Sequence, residues 1–398
     1  MSPDDFSDTS PGNLHPTSFR ERYSDGTYRD VEGLGFVPDV LPPEFDLGLL
    51  LIEQHQRVIE AERALSHLDG IAGRVENPVL LMRPLQYREA KLSSAIENTF
   101  ASAKQMALFD VDPTTVGDKQ KRDEVLEVNN YVRALHTGFV AQEPICLRLV
   151  KQLHAVLLDG VERAAGRVGD FRDSQNAIGR AGASFETARY VPPPHTELDR
   201  LLVNWERFLH ESSSRIPRLI RFAIAHYQFE AIHPFDDGNG RMGRLLISLQ
   251  LCEQAQLSKP LVYVSGYFEK NRSLYYDLLY EVSARGNWQR WIGFFLEAIR
   301  EQASDAVMRF DHLTKLRETY QSAVREKRAS ALLPGIVDRL FGSPALSISD
   351  IQKSSGVSAQ AAGALIKKLE DKNILIEVTG RAYHRVWLAH EIVDVIES

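Results

Sequence analysis

The chain has 398 residues, of which 43% are hydrophobic, and its formal net charge is -7 at pH 7. A chain of this length can bury a substantial core in two or three domains, and its acidity excludes nucleic-acid binding through overall positive charge. Cys146 and Cys252 form no metal-ligand spacing, which indicates a reducing compartment and no zinc site. No run of 18 apolar residues occurs and the first residues lack a signal-peptide pattern, so we expect a cytoplasmic protein without membrane insertion.

The N-terminal third changes character near residue 30. Residues 1–30 are polar and rich in Ser, Asp, Thr and Pro, a composition that predicts a mobile arm. Residues 31–115 are predicted to form a helical region, because apolar residues recur there at helical spacing. The first such stripe comprises Leu47, Leu50, Leu51, His55, Val58 and Ile59. Ser93 and Glu97 lie at positions i and i+4 near the end of this region, so their side chains share one helix face.

The segment from residue 116 to 300 is mostly helical in pattern, with one interruption. Glycines and prolines punctuate residues 169–194, which predicts a β-hairpin or an extended flap. The simplest interpretation of such a flap is a structural cap on the helical bundle.

Residues 233–244 read HPFDDGNGRMGR and concentrate groups suited to nucleotide chemistry. His233 is a candidate general base, because an imidazole titrates near neutral pH. Asp236 and Asp237 offer the hard oxygen ligands that Mg²⁺ prefers. Gly238 and Gly240 allow main-chain N–H groups to face an anion. Each piece alone is typical of an ordinary loop; the combination is what indicates function.

A helix is predicted to begin at these glycines and to carry the two arginines of the run. Arg241 and Arg244 lie at i and i+3, so both guanidinium groups project to one side, beside the positive end of the helix dipole. Two neighbouring arginines repel each other unless an anion or a carboxylate lies between them. The apolar residues on either side of the run predict that its loop is mounted between two buried helices.

This run resembles the signature HPFx(D/E)GNGRxxR of the Fic (Fic/Doc-fold) family. The defined positions are filled by His233, Pro234, Phe235, Asp237, Gly238, Asn239, Gly240, Arg241 and Arg244. Members mostly transfer AMP from ATP to a protein hydroxyl. The Doc-like kinase branch carries lysine where this chain has Gly240, so the resemblance is to the enzymes that transfer AMP and not to those that transfer the γ-phosphate. The resemblance therefore implies ATP as substrate, with Mg²⁺ as cofactor and Mn²⁺ as its alternative.

The resemblance also implies a role for each site residue. His233 would deprotonate a Ser, Thr or Tyr hydroxyl of the target, and Asp237 would hold the metal. The remaining groups would bind ATP and its phosphates: Asp236, Gly238, Asn239, Gly240, Arg241 and Arg244, with Asn271 and Tyr275 approaching the adenine. The flap 169–194 would receive the target segment by strand pairing.

Residues 93–98, SSAIEN, fit the family's inhibitory motif (S/T)xxxE(G/N) through Ser93, Glu97 and Asn98. By resemblance, Glu97 would pair with Arg244 and withhold that arginine from the γ-phosphate. The position of the motif before the core is similar to the class with an N-terminal inhibitory helix.

Residues 330–398 resemble the winged-helix domain appended to many Fic proteins. Residues 349–369 have helix–turn–helix spacing with Gly356 in the turn, and residues 374–380 and 383–387 are predicted to form a two-stranded wing. The segment carries seven Lys/Arg against eight Asp/Glu, a balance unlike that of an autonomous DNA binder. We expect weak, sequence-independent DNA binding or a protein-docking role.

The predicted fold class is mainly α: a Fic-fold helical bundle with a β-hairpin flap, an N-terminal helical extension and a C-terminal winged helix–turn–helix. The predicted divisions are the arm 1–30, the helical region 31–115, the core 116–300, a connecting helix 301–329 and the winged-helix domain 330–398. The predicted function is a protein adenylyltransferase, acting on a target protein and on itself, autoinhibited by Glu97 and forming a homodimer. The alternatives are an enzyme that removes AMP and a DNA-binding regulator with a nucleotide-sensing Fic core.

Overall fold

The computed structural model of the protein describes residues 3–22, 27–74, 79–141, 143–162, 164, 166–179, 187–211, 215–253, 257, 259–325 and 330–398. These residues build a mainly helical molecule with two small antiparallel sheets, in agreement with the predicted fold class. Up to residue 324 the helices are α1 (Leu47–Ala72), α2 (Val79–Ile96), α3 (Ala103–Val111), α4 (Lys119–Val140), α5 (Leu147–Leu157), α6 (Leu198–His210), α7 (Arg218–Ile232), α8 (Asn239–Glu253), α9 (Ser265–Lys270), α10 (Arg272–Arg285) and α11 (Trp288–Val324). None of the helices built by these described residues has the length and hydropathy needed to cross a bilayer.

Short polar side chains determine where several helices begin. The Asp118 carboxylate accepts a hydrogen bond from the main-chain N–H of Lys121 at the start of α4. At the start of α3, Ser102 and Gln105 form a reciprocal capping box. These side chains satisfy N–H groups that a helix leaves without an internal partner.

Helices α7 and α8 form the centre of the molecule and flank the 233–238 loop. Nearly every residue of both helices is buried. Trp205 on α6 and Trp291 on α11 donate their indole N–H groups to main-chain carbonyls of Ala225 and Ala223 on α7, each at 2.9 Å. Each tryptophan therefore buries a large apolar surface while its polar group stays paired. The loop between α7 and α8 consequently has a rigid mount.

The polar N-terminal segment, predicted to be a mobile arm, contains an antiparallel β-hairpin. Strand β1 (Gly12–Arg22) pairs with β2 (Tyr28–Pro38), and the Phe36 side chain is fully buried. Before the hairpin, Ser7 and Ser10 hydrogen-bond to main-chain carbonyls at the end of α10. The polar side chains that suggested mobility thus serve as docking groups, and composition alone did not reveal their partners.

The predicted flap, residues 169–194, contains one described β-bridge, in which Ile178 and Tyr190 exchange main-chain hydrogen bonds at 2.8 and 3.1 Å. Residues 180–186, the centre of the predicted hairpin, lie outside the described residues. Beyond the bridge the flap runs beside β2, where Phe36 donates its N–H to the Val191 carbonyl at 2.9 Å. The flap therefore borders the N-terminal hairpin.

The C-terminal module, residues 330–398, has the element order of the predicted helix–turn–helix and wing. Its elements are α12 (Leu333–Gly342), β3 (Ala345–Ser347), α13 (Ile348–Ser355), α14 (Ala359–Glu370), β4 (Ile376–Glu377), β5 (Val386–Leu388) and α15 (His390–Glu397). The antiparallel sheet has the order β3-β5-β4. Gly356 ends α13 with φ 67°, a left-handed conformation that glycine adopts without strain. This arrangement is compatible with a winged helix.

The C-terminal module packs against α2 and α3. Glu397 on α15 pairs with Lys91 on α2 and accepts a hydrogen bond from the Ala103 N–H at the start of α3, at 2.5 Å. Arg381 forms an ion pair with Asp112, after α3, at 3.0 Å. The C-terminal module therefore contacts α2, the helix that carries Ser93.

The predicted boundary between the core and a connecting helix, at residue 300, falls inside α11. This helix is continuous for 37 residues. Near its start Trp291 is buried in the core, and near its end the Tyr320 hydroxyl donates to Glu391 on α15 at 2.8 Å. One helix thus joins the core to the C-terminal module, because its apolar face has a partner along the whole length.

Candidate active site

The end of α2 fixes Glu97 by a defined main-chain geometry. Asn98 has φ 61°, Thr99 donates its N–H to the Ser94 carbonyl and Asn98 donates to the Ala95 carbonyl, both at 3.0 Å. These two bonds around a left-handed residue form a Schellman motif, in which Glu97 is the C-cap residue. The left-handed position favours Gly or Asn, which explains the choice at residue 98.

Glu97 and Ser93 both bind Arg244. Its guanidinium donates to the Glu97 Oε1 at 2.8 Å, to the Ser93 Oγ at 2.9 Å and to the Ser93 carbonyl at 2.8 Å. Arg244 is fully buried, whereas the Glu97 side chain retains 33% exposure. Burial alone would lower the pKa of Arg244, but the Glu97 carboxylate raises it above the usual value. The arginine stays charged because the carboxylate compensates for lost water.

One donor of Arg244 has no hydrogen-bond partner among the residues that the structure describes. Its Nη1 is buried without a hydrogen bond to any described residue and lies against Gly240. A side chain at position 240 would overlap both this nitrogen and the Glu97 carboxylate, so Gly240 leaves the space that the Glu97–Arg244 pair occupies. An unpaired buried guanidinium donor is costly, and an anionic ligand above Gly240 would satisfy it.

His233 ends α7 in a left-handed conformation, with φ 49° and ψ 62°. Arg172 holds this turn: its Nε donates to the His233 carbonyl at 2.9 Å and its Nη2 donates to the Pro193 carbonyl at 2.7 Å. Burial, reinforced by the Arg172 charge, lowers the pKa of His233 to about 4. The imidazole is therefore neutral at physiological pH, the form that can accept a proton.

The turn after His233 is also held from α5. Gly169 donates its N–H to His154 Nδ1 at 2.9 Å, so the proton of the neutral ring lies on Nε2, which donates to the Asp237 carbonyl at 3.0 Å. The His154 ring stacks on Phe235 with centroids 3.8 Å apart, and burial lowers the pKa of His154. The neutral tautomer is the one that fits both hydrogen bonds.

Asn239, predicted to bind phosphate, uses its side chain inside the loop. Its Oδ1 accepts from the Phe235 N–H and its Nδ2 donates to the Phe235 carbonyl, both at 2.8 Å. The amide closes the turn and has little capacity left for a ligand, so the side chain positions the loop. Gly238, at φ 77°, supplies the left-handed residue that the turn needs.

Arg241 is buried and pairs with Glu127 on α4, and its Nη2 lies 3.4 Å from the Asp237 Oδ1. Asp237 Oδ1 also accepts the Gly238 N–H at 2.6 Å, and Asp236 Oδ2 accepts the Arg167 N–H at 3.1 Å. Both aspartates remain partly exposed, so their carboxylates border solvent while anchoring the loop.

Two cavities meet at Glu97. The smaller, about 330 Å³, is lined by Glu97, Thr99, Glu127, His233, Asp236, Asp237, Gly238, Asn239, Gly240 and Arg241. The larger, about 1070 Å³, lies between the flap and α10; its lining includes Ile178, Tyr190, Glu230, Arg272, Tyr276 and Tyr280. Glu97, His233 and Gly240 line both. The Glu97 carboxylate therefore stands between a polar cavity and a roomier one with aromatic walls.

The smaller cavity fits a Mg²⁺ ion that is bound together with phosphates. Asp237 Oδ2 accepts no hydrogen bond from the described residues, which leaves one carboxylate oxygen for a cation. Among the described residues no three His, Cys, Asp or Glu side chains converge as a protein cage. Mg²⁺ commonly uses one or two carboxylates and takes its other ligands from phosphates and water, so Asp237 suits it.

The two residues predicted to approach the adenine, Asn271 and Tyr275, line neither cavity. Tyr275 is buried in the core, where its hydroxyl hydrogen-bonds to His226 Nε2 at 2.9 Å and its ring stacks on Phe268. Asn271 donates to the Tyr267 carbonyl at the junction of α9 and α10 and does not line the larger cavity. The prediction of a ligand-facing Tyr275 is wrong, because the Tyr275 side chain points into the core. Consecutive helix residues point about 100° apart, so the side chain of the next residue points in another direction. Tyr276 faces the cavity instead, with its hydroxyl 3.4 Å from the Glu97 Oε2.

Three residues of the site were absent from the sequence prediction: Glu127, His154 and Arg172. His154 lies in the apolar stretch LHAVL of α5, which suggests a buried ring without identifying its partner. Glu127 lies in a mostly polar helix and Arg172 in the flap, so their sequence neighbours give no sign of burial. Their partners are 61 to 114 positions away, so the pairings depend on the tertiary fold.

The fold and the site together define a helical protein in which Glu97 pairs with Arg244 beside a glycine-rich turn. Residues 55–140 match the Fic/DOC family N-terminal profile, and residues 144–251 match the Fic/DOC family profile. The chain belongs to the Fic/DOC family. The second match includes the 233–244 motif and both flanking helices.

Among characterised relatives, the chain is similar to protein adenylyltransferase Fic of Drosophila ananassae, with 27% identity over 202 residues. The corresponding protein of Culex quinquefasciatus is 26% identical over 203 residues. In both cases the match covers 50% of this chain and 37% of the relative. The chain therefore spans well under half the length of these relatives.

Solved structures share the fold. A Fic family protein from Desulfovibrio desulfuricans G20 superposes with a TM-score of 0.53 at 20% identity, covering 84% of this chain and 95% of that one. Fic-1 from C. elegans superposes with a TM-score of 0.51 at 21% identity, covering 66% of this chain and 74% of that one. The similarity to the first extends well beyond the two family profiles.

Proposed function

We propose that the protein transfers AMP from ATP to a hydroxyl group of a protein substrate, and that Glu97 restrains this activity. The smaller cavity would hold the phosphates and the larger one the nucleoside, with the α-phosphate beside His233, which lines both. The names of the curated relatives support this class of reaction.

The observation that carries the proposal is the ion pair between Glu97 and Arg244, beside an Arg244 nitrogen that bonds to none of the described residues. Arg241 and Arg244 project into the glycine turn at the start of α8, where the helix dipole adds positive potential. Arg241 already pairs with Glu127 and lies near Asp237, so the cation that Glu97 withholds is Arg244. A phosphate of the nucleotide would take the place of the Glu97 carboxylate once that carboxylate moves aside.

In the proposed reaction the target hydroxyl oxygen attacks the α-phosphorus in line. The bond from oxygen to phosphorus forms, the bond to the pyrophosphate breaks, and the hydroxyl proton passes to neutral His233. Positioning and charge neutralisation provide most of the acceleration in phosphoryl chemistry of this kind. The negative phosphates also favour the imidazolium that forms, which offsets the low pKa of the buried His233.

Asp237 would hold the Mg²⁺ ion, and Mn²⁺ is the alternative. The ion, when bound, neutralises negative charge on the departing pyrophosphate. The hydrogen bonds from Gly238 and Arg241 orient the Asp237 carboxylate for this role. Asn239 and His154 would keep the loop in shape while nucleotide enters.

The restraint follows from competition for Arg244. While Glu97 holds the guanidinium, the γ-phosphate lacks that partner and meets a carboxylate of like charge. Losing one charged contact costs about 1.5–3 kcal/mol, and about 1.4 kcal/mol corresponds to a factor of ten in rate. We therefore expect Glu97→Gly and Glu97→Ala to raise AMP transfer, to the chain itself or to a target, at least tenfold.

The experiment incubates each purified chain with α-labelled ATP and Mg²⁺ and follows label incorporation. Glu53→Ala, an exposed glutamate substitution on α1, is the matched control and should leave transfer unchanged. Glu97→Ala separates loss of the carboxylate from loosening of the helix end by glycine. Unchanged or lower transfer in both Glu97 variants would refute the restraint.

The reverse direction is the second candidate, because Glu97 and His233 line the same two cavities. There the Glu97 carboxylate would position a water molecule that removes AMP from a modified protein. A Glu97→Gly chain that no longer strips AMP from a modified substrate, while wild type does, would favour this direction.

A further inference from the structure

Glu230 is a second carboxyl group beside Arg244, and neither the family motif nor the reaction above uses it. It lies in the last turn of α7, three residues before His233, and lines the larger cavity with only 11% of its side chain exposed. Its carboxyl group lies over Gly243 on α8, where any larger side chain would overlap Oε1. Gly243 occupies an undefined position of the motif, so in this chain it makes room for a buried acid.

The carboxyl group of Glu230 is poorly satisfied. Its Oε1 is buried without a hydrogen bond to any described residue, and the nearest basic nitrogen, His226 Nε2, is 3.9 Å away and already engaged with Tyr275. Arg244 interacts electrostatically with Glu230 and has its own unpaired Nη1. An acid and an arginine, each with an unused hydrogen-bonding atom, thus share one buried cluster.

The surroundings determine the charge of this acid. Burial raises the pKa of Glu230 to about 8, the Arg244 cation opposes the shift and the Glu97 carboxylate adds to it. The titratable groups facing it are His226 on α7, His233 after α7, Arg244 on α8, Glu97 after α2, and Tyr275 and Tyr276 on α10. With Glu97 in place, Glu230 is therefore neutral near pH 7, and Glu97 alone balances the arginine.

We propose that Glu230 is a reserve counter-ion for Arg244: when Glu97 withdraws, Glu230 loses its proton and pairs with the guanidinium, so that ATP binding requires Glu230 to take up a proton again. This inference rests on the proposed function. A buried arginine does not remain without a negative partner, because the cost of an uncompensated charge is large. The entering phosphates replace the Glu97 charge, and their like charge again favours neutral Glu230.

The test measures binding of the Mg²⁺ complex of a non-hydrolysable α,β-methylene analogue of ATP to the Glu97→Gly chain. Titration calorimetry at pH 8, in two buffers of different ionisation enthalpy, reports protons taken up per nucleotide. We expect uptake approaching one proton, and a Kd that rises with pH by up to tenfold per unit between pH 7 and 9.

The matched variant is Glu97→Gly with Glu230→Gln, which keeps the shape of the side chain and removes the titration. It should take up fewer protons when it binds the nucleotide, because Glu230 can no longer accept one. Its Kd should also depend less on pH. Gly243→Ala in the Glu97→Gly background displaces the acid without removing it and should also change the uptake. If the Gln variant shows the same uptake and pH dependence as its parent, the inference is wrong. If the Glu97→Gly chain binds no nucleotide at any pH, the proposed function fails instead.

Discussion

At the scale of single residues, the left-handed turn at His233 is central to the site. Arg172 ties the main chain on both sides of this turn to the flap, and Phe235 packs beneath it, fully buried. A non-glycine residue at φ 49° carries strain that its surroundings must offset. The His233 side chain, the proposed base, is therefore placed by the fold around it, independently of any ligand.

His233→Ala is expected to abolish AMP transfer while nucleotide binding persists. The base acts on the acceptor hydroxyl, whereas Gly238, Gly240 and Arg241 would hold the phosphates. The measurements are label transfer and nucleotide Kd, made in a Glu97→Ala background. His233→Asn is the control for the backbone, since asparagine tolerates the left-handed conformation. Full transfer in either variant would disprove the role, and loss of binding in both would make His233 a structural residue.

Asp237→Ala is expected to reduce Mg²⁺-dependent transfer more than Asp236→Ala. Asp237 occupies the carboxylate position of the family motif, and its Oδ1 is oriented by hydrogen bonds from Gly238 and Arg241, whereas Asp236 occupies the variable position and accepts the Arg167 N–H of the neighbouring loop. Losing charge neutralisation at the pyrophosphate costs several kcal/mol of barrier, or on the order of a hundredfold in rate. Transfer rates across a Mg²⁺ titration compare the two variants. Equal losses would show that the ligand assignment is wrong.

At the scale of elements, the site is the meeting point of three segment ends. The end of α2 brings Glu97, the end of α7 brings His233 and the start of α8 brings Gly240 and Arg244. Helix ends leave main-chain groups unpaired, so they suit sites that bind charged ligands. The Schellman motif at Asn98 connects main-chain geometry to the proposed restraint.

Asn98→Ala should raise basal transfer, whereas Asn98→Gly should do so much less. Both variants lose the hydrogen bond that the Asn98 Oδ1 accepts from Arg272, so they differ only in the left-handed conformation. Alanine there costs roughly 1 kcal/mol, which corresponds to about a fivefold loosening of the C-cap that holds Glu97. Initial rates of self-modification measure the difference. Equal rates in the two variants would show that the Schellman geometry does not contribute to the restraint by Glu97.

The motif made much of this site predictable, because it is contiguous in sequence. Residues 233–244 specify a turn, a helix start and a set of charges, and the i, i+4 spacing placed Ser93 and Glu97 on one face of α2. The sequence could not show that Asn239 closes the turn, since its amide suits a phosphate equally well. Nor could it choose between Tyr275 and Tyr276, because the burial of one face of α10 depends on α7 and α11.

Long-range contacts account for the remaining differences in the fold. The N-terminal hairpin finds its partner at Val191, more than 150 residues away, and a polar composition gave no sign of it. The C-terminal pattern was recognisable as helix–turn–helix with a wing, but its contact with α2 depends on Lys91, Glu397 and Arg381, which resemble ordinary surface charges.

At the scale of the whole molecule, the C-terminal module contributes to the support of α2 and presents α14 outward. The exposed residues of α14 include Gln360, Lys367 and Lys368, and Asp371 pairs with Lys367 at 2.9 Å. Arg381 is engaged with Asp112 on the core side. The positive charge available to a phosphate backbone is therefore small.

We expect the full chain to bind DNA weakly and without sequence preference. Charge neutralisation dominates non-specific affinity, and this module has eight acidic residues against seven basic ones. Electrophoretic mobility shift at physiological salt, with Lys367→Glu/Lys368→Glu as the comparison, measures the effect. Tight binding to one duplex with discrimination against others would revive the interpretation as a DNA-binding regulator.

The continuity of α11 has a consequence for how the molecule unfolds. A helix of 37 residues spans about 55 Å, and it shares its hydrogen-bonded backbone between the helical core and the C-terminal module. If either the helical core or the C-terminal module unfolds at its end of α11, the helix frays and the other region loses part of the surface on which it packs. The two regions should therefore lose structure in one thermal transition, with matching calorimetric and van't Hoff enthalpies. The boundaries predicted from the sequence at residues 300 and 330 would then not separate regions that unfold independently.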